Sequence, residues 1–180
     1  MRIISGLYKN RRINFNNLKI RPTTDFAKES LFNILDNYYD FNNISVLDLF
    51  AGSGNISYEF LSRGAKQTTS VDNNLKCVKF MQTIQSKLSI ENFNIIHINS
   101  IYYLKKTRNK YDVIFADPPY TYIQKDYEKI INMIFEKNIL NTNGILILEH
   151  SKLINFETHK HFYMKKKYGS VNFSFLQNEE

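Results

Sequence analysis

Cysteine, proline and tryptophan are scarce in this sequence, which has one Cys, three Pro and no Trp among 180 residues. A single cysteine, Cys77, excludes an intramolecular disulfide and is typical of a protein in a reducing cytoplasm. No apolar run approaches the roughly 20 residues of a membrane span. Arg2 is followed by no long apolar stretch of the kind that a secretory signal requires. The sequence therefore predicts a cytoplasmic protein that does not contact a membrane.

Acidic residues are also in short supply, with 17 Asp and Glu against 24 Lys and Arg and a net charge of +7. Six basic residues precede the first acid, Asp25, and a second basic run follows at residues 165–167. Such clusters attract a phosphate backbone, although a solvated surface can have the same composition. The candidate nucleic-acid contacts in the first cluster are Arg2, Arg11, Arg12 and Arg21.

Strand-like and helix-like segments alternate along the chain. Residues 1–20 predict a short basic β-arm, and Thr23-Thr24-Asp25 offers caps for a first helix. The strand-like runs are ISVLDLF, QTTSVD, FNIIHIN, YDVIFAD and ILILEH, and KHFYMKKKY and VNFSFL predict a hairpin about Gly169. The alternation predicts an α/β fold with one mostly parallel, doubly wound sheet and an antiparallel C-terminal end. The length of 180 residues predicts one domain, 1–180, that includes the arm.

The glycine-containing segment LDLFAGSGNIS, residues 47–57, is the first strand-to-helix turn of such a sheet. Gly52 and Gly54 let the backbone approach a ligand closely, and Asp72 ends the next strand, where a carboxylate can accept both ribose hydroxyls. A nicotinamide dinucleotide would require a third glycine at Ser57, and Asp48 would repel its pyrophosphate. A carboxylate attracts the ammonium group of S-adenosylmethionine, so the loop favours that cofactor. A capped tight turn without a ligand is the alternative.

Asn99 and Ser100 follow the third strand, where the edge of an adenine ring would lie in this sheet. The Asn99 amide can serve either that edge or a helix N-terminus. The full set of candidate cofactor-binding residues is Asp48, Phe50, Ala51, Gly52, Gly54, Asp72, Asn99 and Ser100.

An apolar strand-like run ends abruptly in Asp117-Pro118-Pro119-Tyr120, the candidate catalytic residues. The two prolines fix φ and remove two N–H donors, which leaves the Asp117 carboxylate and the Pro118 carbonyl as acceptors. These acceptors can hold both hydrogens of a planar exocyclic amine, while Tyr120 offers a face for a base. Such an amine is a poor nucleophile, so alignment with a methyl donor matters more than a strong base. A proline-rich turn without chemistry is the alternative, and the nearby glycine loop argues against it.

Several blocks resemble the bacterial ribosomal small subunit methyltransferase D family, whose members methylate N2 of a guanine in 16S ribosomal RNA. The matching blocks are RIISG, LKIRPTTDFAKESLFNIL, LDLFAGSG, ADPPY, ILILEH and YGSVNFSFL. The resemblance implies a Rossmann-like class I methyltransferase fold with seven strands, S-adenosylmethionine as donor and a guanine near the ribosomal P site as target. It also implies that Arg21 and Thr23 lie beside the site and that Asp117–Tyr120 is the reaction loop. Asn99 stands where many relatives carry Asp.

Two other functions stay open. Asp-Pro-Pro-Tyr also suits the N6 amine of adenine in DNA or RNA, and a non-catalytic RNA-binding assembly protein could keep the fold. A nicotinamide oxidoreductase is disfavoured by Ser57 and Asp48. We expect a monomer whose partner is small-subunit ribosomal RNA, free or within a ribosomal particle.

Overall fold

The structure is a computed structural model that describes residues 1–15, 18 and 23–178. The helices are α1 Asp25–Leu35, α2 Asn55–Ser62, α3 Leu75–Leu88, α4 Ser100–Lys106 and α5 Gln124–Glu136, with a short 3₁₀ helix at Phe41–Asn43. The strands are β1 Ser45–Asp48, β2 Gln67–Asp72, β3 Phe93–His97, β4 Tyr111–Ala116, β5 Leu140–His150, β6 Phe162–Tyr168 and β7 Val171–Gln177. No helix in the described part of the chain is long and apolar enough to cross a membrane.

The seven strands form one sheet in the order β3-β2-β1-β4-β5-β7-β6. The pairs among β1 to β5 are parallel, while β7 pairs antiparallel with both β5 and β6. The predicted α/β fold, with a mostly parallel sheet and an antiparallel C-terminal hairpin, is confirmed. The strand order reverses between β1 and β4, and in open α/β sheets ligands bind at such a switch point.

Each face of the sheet is covered by apolar side chains, because the parallel strands are buried on both sides. One face packs with α4 and α5 in a cluster that includes Leu47, Ile114, Leu146 and Ile130. The other face packs with α1 and α2 in a cluster that includes Val46, Val113, Ile147 and Phe60. This double burial holds the carboxyl ends of β1, β2 and β4 at one fixed edge.

The N-terminal segment packs against α2. Among its described residues, strand pairing is limited to a single antiparallel bridge between Arg2 and Arg12. The buried Glu59 carboxylate of α2 accepts the backbone N–H groups of Ile4 and Ser5 at 2.8 and 3.0 Å. Ile3 is also buried, at 2% exposure. The basic β-arm expected from the sequence is thus a short hairpin that is fixed to the domain by a helix carboxylate.

Candidate active site

A cavity of about 480 Å³ lies at the carboxyl ends of β1, β2 and β4. Its volume is in the range of small-molecule sites, about 300–1,000 Å³. Most sequence-predicted residues line it: Thr23, Asp48, Phe50, Ala51, Gly52, Asp72, Asn99, Ser100, Asp117, Pro118, Pro119 and Tyr120. Residues that were not among the sequence-predicted site residues also line it: Ser53, Asn55, Ile56, Asn73, Asn74, Cys77, Phe115 and Tyr122.

The glycine loop depends on two left-handed residues, Gly52 with φ 54° and Gly54 with φ 79°. The N–H of Gly52 donates to Asp72 Oδ2 at 2.7 Å, which ties the loop to the end of β2. Gly54 is the N-cap of α2, and a Cβ at this position would stand 2.9 Å from the Tyr58 ring. Gly54 does not line the cavity, so its place in the fold is a close helix contact that shapes the loop.

Asp48 ends β1 and is 1% exposed. Its Oδ2 accepts the Ser57 hydroxyl at 2.6 Å, whereas its Oδ1 has no hydrogen-bond partner among the described residues. Burial raises the pKa of Asp48 to about 7, the charge of Asp72 adds to the rise, and the Ser57 hydrogen bond opposes it. A buried carboxylate oxygen without a partner is costly, which makes it a ready acceptor for a cationic ligand group.

Asp72 lies at the end of β2 with each carboxylate oxygen already held by a backbone donor. Oδ2 accepts from Gly52, and Oδ1 accepts from the N–H of Asn74 at 2.7 Å. Each oxygen keeps a further lone pair, because an ionised carboxylate has about four acceptor positions. The side chain is therefore fixed in orientation and can still accept two hydroxyl groups.

Asn99 and Ser100 are both used by the fold. Asn99 Oδ1 accepts from the N–H groups of Ile101 and Tyr102 at 2.9 and 3.3 Å and thereby caps α4. The Ser100 hydroxyl donates to the carbonyl of Leu49. Asn99 thus has the helix-cap role, in which its amide nitrogen takes no part.

The reaction loop follows β4. Asp117 is half-buried, and burial raises its pKa well above the ordinary value, with further contributions from the charges of Glu149 and Asp48. The Pro118 carbonyl accepts no hydrogen bond from the described residues, while the Pro119 carbonyl accepts the N–H of Tyr122 at 2.9 Å.

Two aromatic residues of the loop have different surroundings. The Tyr120 side chain is 81% exposed. The Tyr122 ring meets the Phe50 ring edge-on with centroids 5.7 Å apart, which joins the reaction loop to the glycine loop. An exposed ring beside the Asp117 and Pro118 acceptors is therefore available to a planar ligand entering from solvent.

A series of hydrogen-bonded polar residues beside the cavity was not predicted from the sequence. The Thr23 hydroxyl donates to Glu149 Oε2 at 2.6 Å, and the Thr23 carbonyl accepts Asn55 Nδ2 at 3.0 Å. The Asn55 Oδ1 atom accepts from Lys28 Nζ at 2.8 Å. The signal available in the sequence was the acid at the end of ILILEH, a strand whose carboxyl end lies beside that of β4.

Three of the candidate arginines do not line the cavity. Arg2, Arg11 and Arg12 are exposed on the N-terminal segment, and Arg2 Nε lies 3.9 Å from an Asp25 carboxylate oxygen. Arg21 lies outside the described residues.

The sequence and the fold both have known relatives. The family model described as conserved hypothetical protein 95 matches residues 1–177. The chain is 38% identical over 157 residues to the ribosomal RNA small subunit methyltransferase D of Buchnera aphidicola subsp. Baizongia pistaciae, covering 86% of this chain and 78% of that one. This chain belongs to the ribosomal small subunit methyltransferase D family. The resemblance seen in the sequence blocks is confirmed.

Solved structures place the family fold among methyltransferases. The HI0767 protein of Haemophilus influenzae matches with a TM-score of 0.80 at 30% identity and covers 99% of this chain and 98% of its own. The 16S rRNA N2 guanine methyltransferase RsmC of T. thermophilus, solved with AdoMet and guanosine, matches with a TM-score of 0.72 at 18% identity, over 90% of this chain and 45% of its own. The Rossmann-like methyltransferase fold predicted for the chain is therefore confirmed.

Proposed function

We propose that this protein transfers a methyl group from S-adenosylmethionine to the N2 amine of a guanine in small-subunit ribosomal RNA. One observation carries the proposal: a single cavity brings the unpartnered Asp48 oxygen and the oriented Asp72 carboxylate next to the Asp117-Pro118 acceptors. The first two fit a cationic nucleoside ligand, and the last two fit a planar amine.

The residues present fit S-adenosylmethionine. Asp48 would bind its ammonium group, and Asp72 would accept its ribose hydroxyls. The part of the cavity beside Asn99 would hold its purine ring. A phosphate-bearing cofactor fits poorly, because Asp48 and Asp72 place two carboxylates at the glycine loop. When bound, S-adenosylmethionine supplies a methyl group activated by a sulfonium centre.

The reaction loop would hold the acceptor base. Asp117 and the Pro118 carbonyl each accept one hydrogen of the amine, which leaves the nitrogen lone pair directed into the cavity. Tyr120 stacks on the base from the solvent side. Holding the reacting atoms in line replaces a bimolecular encounter and removes several kcal/mol from the barrier.

Asp117 also suits late proton removal. Burial raises the pKa of Asp117 well above its ordinary value, so the carboxyl holds a proton more readily than an exposed acid and can take the one released by the methylated amine. Asp117 can then release this proton to water, because its carboxyl is only half-buried.

Ribosomal RNA is the substrate favoured by the relatives and by charge. The relative from Buchnera carries that substrate in its name, and the T. thermophilus neighbour acts on N2 of a 16S guanine. The exposed Arg11 and Arg12 of this chain supply positive charge for a phosphate backbone. We propose that the chain acts as one domain, since the N-terminal Ile3 and Ile13 share a core cluster with Met81 of α3. We also propose that it acts as a monomer.

The experiment offers the protein labelled S-adenosylmethionine with unmodified small ribosomal subunits, protein-free small-subunit RNA or adenine-containing duplex DNA. We expect label in the first or second substrate, and their ratio defines the assembly stage at which the protein acts. Label in the adenine of the duplex DNA would mean that the substrate is DNA and not ribosomal RNA. Binding of S-adenosylhomocysteine with no transfer to any substrate would favour a non-catalytic assembly protein.

A further inference from the structure

In the reaction proposed above, the second acid at the reaction loop, Glu149, contacts neither the cofactor nor the base. It lies on β5 in line with Asp117, because Ala116 of β4 pairs with Leu148 of β5 in parallel register. Glu149 is 8% exposed. Two neighbouring acids disfavour each other's ionisation, and the charge of Glu149 contributes to the raised pKa of Asp117. Because the placement of two acids side by side costs free energy, we expect Glu149 to have a function that offsets this cost.

The Glu149 carboxylate contacts Thr23. The Thr23 hydroxyl donates to Glu149 Oε2 at 2.6 Å, and Thr23 lines the same cavity as Asp117. The Thr23 backbone is held as well, because its carbonyl accepts Asn55 Nδ2 at 3.0 Å. The amide of Asn55 cannot reverse without loss, since the buried Lys28 ammonium donates to its Oδ1. Thr23 is therefore fixed at both its hydroxyl and its carbonyl.

A threonine hydroxyl has one proton and two lone pairs. When a carboxylate takes the proton, the oxygen can serve any further partner only as an acceptor. A free threonine hydroxyl can donate or accept a hydrogen bond. Because Glu149 takes the proton, the Thr23 hydroxyl at the wall of the cavity can only accept one from a ligand.

The bases differ in what they place next to an exocyclic amine. In guanine the N2 amine adjoins the N1–H donor. In adenine and cytosine the amine adjoins a ring nitrogen that carries a lone pair. An acceptor beside the amine-binding loop therefore matches guanine and repels the other two.

We infer that Thr23, oriented by Glu149, accepts the N1–H of the target guanine and so selects guanine at the Asp117 loop. Thr23 is a specificity-determining residue, and Glu149 is a positioning residue that acts through it. The inference rests on the proposed guanine-N2 activity and adds the group that reads the base.

The test compares guanine with 2-aminopurine at the target position, which is first mapped with the wild-type protein. 2-Aminopurine keeps the amine at position 2 and has a lone pair in place of N1–H. The small-subunit RNA is ligated from segments with either base, and it is offered bare or assembled, whichever form the wild type methylates. The proteins are wild type, Thr23→Val, Thr23→Ser and Glu149→Gln.

A matched control is Thr68→Val, which removes a buried β2 hydroxyl that has no partner among the described residues and lies outside the cavity. We expect the control to keep wild-type kinetics on both bases. Affinity for S-adenosylhomocysteine and the unfolding temperature, measured for every variant, separate a lost contact from a misfolded protein.

Wild type should lose about 100-fold in kcat/KM on 2-aminopurine, since a lone pair would then face a fixed acceptor. Thr23→Val should lose about 10- to 100-fold on guanine and discriminate less than about fivefold between the two bases. Thr23→Ser should restore discrimination, and Glu149→Gln should weaken it while S-adenosylhomocysteine affinity stays unchanged.

A folded Thr23→Val protein that keeps wild-type discrimination would overturn the inference and leave the guanine-N2 activity intact. Glu149→Gln with wild-type discrimination would overturn the positioning role. A wild-type protein that forms no N2-methylguanine would refute the proposed function itself, before any variant is compared.

Discussion

Replacement of Asp48 by asparagine tests the cofactor site through stability and binding together. Burial raises the pKa of Asp48 from 3.8 to about 7. Each pKa unit corresponds to about 1.36 kcal/mol, so ionisation of this group opposes folding by about 4 kcal/mol above pH 7. The folded state binds more protons than the unfolded state between about pH 4 and pH 7. This contribution to stability is therefore present at low pH and is lost as pH rises through 7.

An asparagine side chain carries no charge, and Asp48→Asn should remove this pH dependence. The free energy of unfolding of the variant, relative to wild type, should be about 3 kcal/mol higher at pH 8 than at pH 5. Urea denaturation at both pH values measures the difference. A stability difference that is the same at pH 5 and pH 8 would refute the buried-acid argument.

The same variant should bind the cofactor more weakly. Loss of a charged hydrogen-bond partner for the ammonium group should reduce affinity for S-adenosylhomocysteine at pH 8 by about tenfold or more. Wild-type affinity should fall about tenfold for each pH unit below 7, because Asp48 must then release a proton to bind. Calorimetric titration measures both effects. Asp112→Asn, at the opposite end of β4, is the control and should bind as wild type does.

Three further variants probe the reaction loop, the glycine loop and the buried ion pair. Asp117→Ala should reduce methyl transfer by about 100-fold or more, with S-adenosylhomocysteine affinity within about twofold of wild type; normal turnover would contradict the acceptor role. Gly54→Ala adds a Cβ at φ 79° that meets the Tyr58 ring at 2.9 Å, and it should lower the free energy of unfolding by about 1–3 kcal/mol in a urea titration; an unchanged midpoint would contradict the close contact. Lys28→Met removes the ammonium that lies 3.5 Å from the fully buried Glu59, which keeps Arg63 Nε at 3.0 Å, and we expect a loss of about 1–3 kcal/mol by the same measurement. A stability equal to wild type would mean that this pair does not support the docked N-terminal segment.

The strand pattern was predictable because it depends on local sequence. The run QTTSVD coincides with β2, and the hairpin about Gly169 forms as expected. The start of β5 differed: the strand begins at Leu140, ahead of the ILILEH run that the sequence predicted. Leu140 pairs with Tyr111 of β4, so the added residues belong to the strand through a tertiary contact that the local sequence does not show.

The motif residues were also predictable, since Asp48, Asp72 and Asp117 each lie at the end of a strand, and these strands end at the same edge of the sheet. The supporting contacts were not. Thr23 and Glu149 are 126 positions apart, and no local periodicity connects them. Lys28 has the sequence context of a solvated residue of α1, yet it is completely buried against Asn55 and the N-terminal backbone. Such contacts depend on which elements meet in space.

The most direct test of the central claim is transfer of a deuterated methyl group to unmodified small-subunit RNA, followed by mass spectrometry of the nucleosides. Wild type should yield deuterated N2-methylguanosine at one position, and Asp117→Ala should yield about 100-fold less under identical conditions. Deuterium in N6-methyladenosine, or the same yield of N2-methylguanosine from Asp117→Ala, would contradict the account.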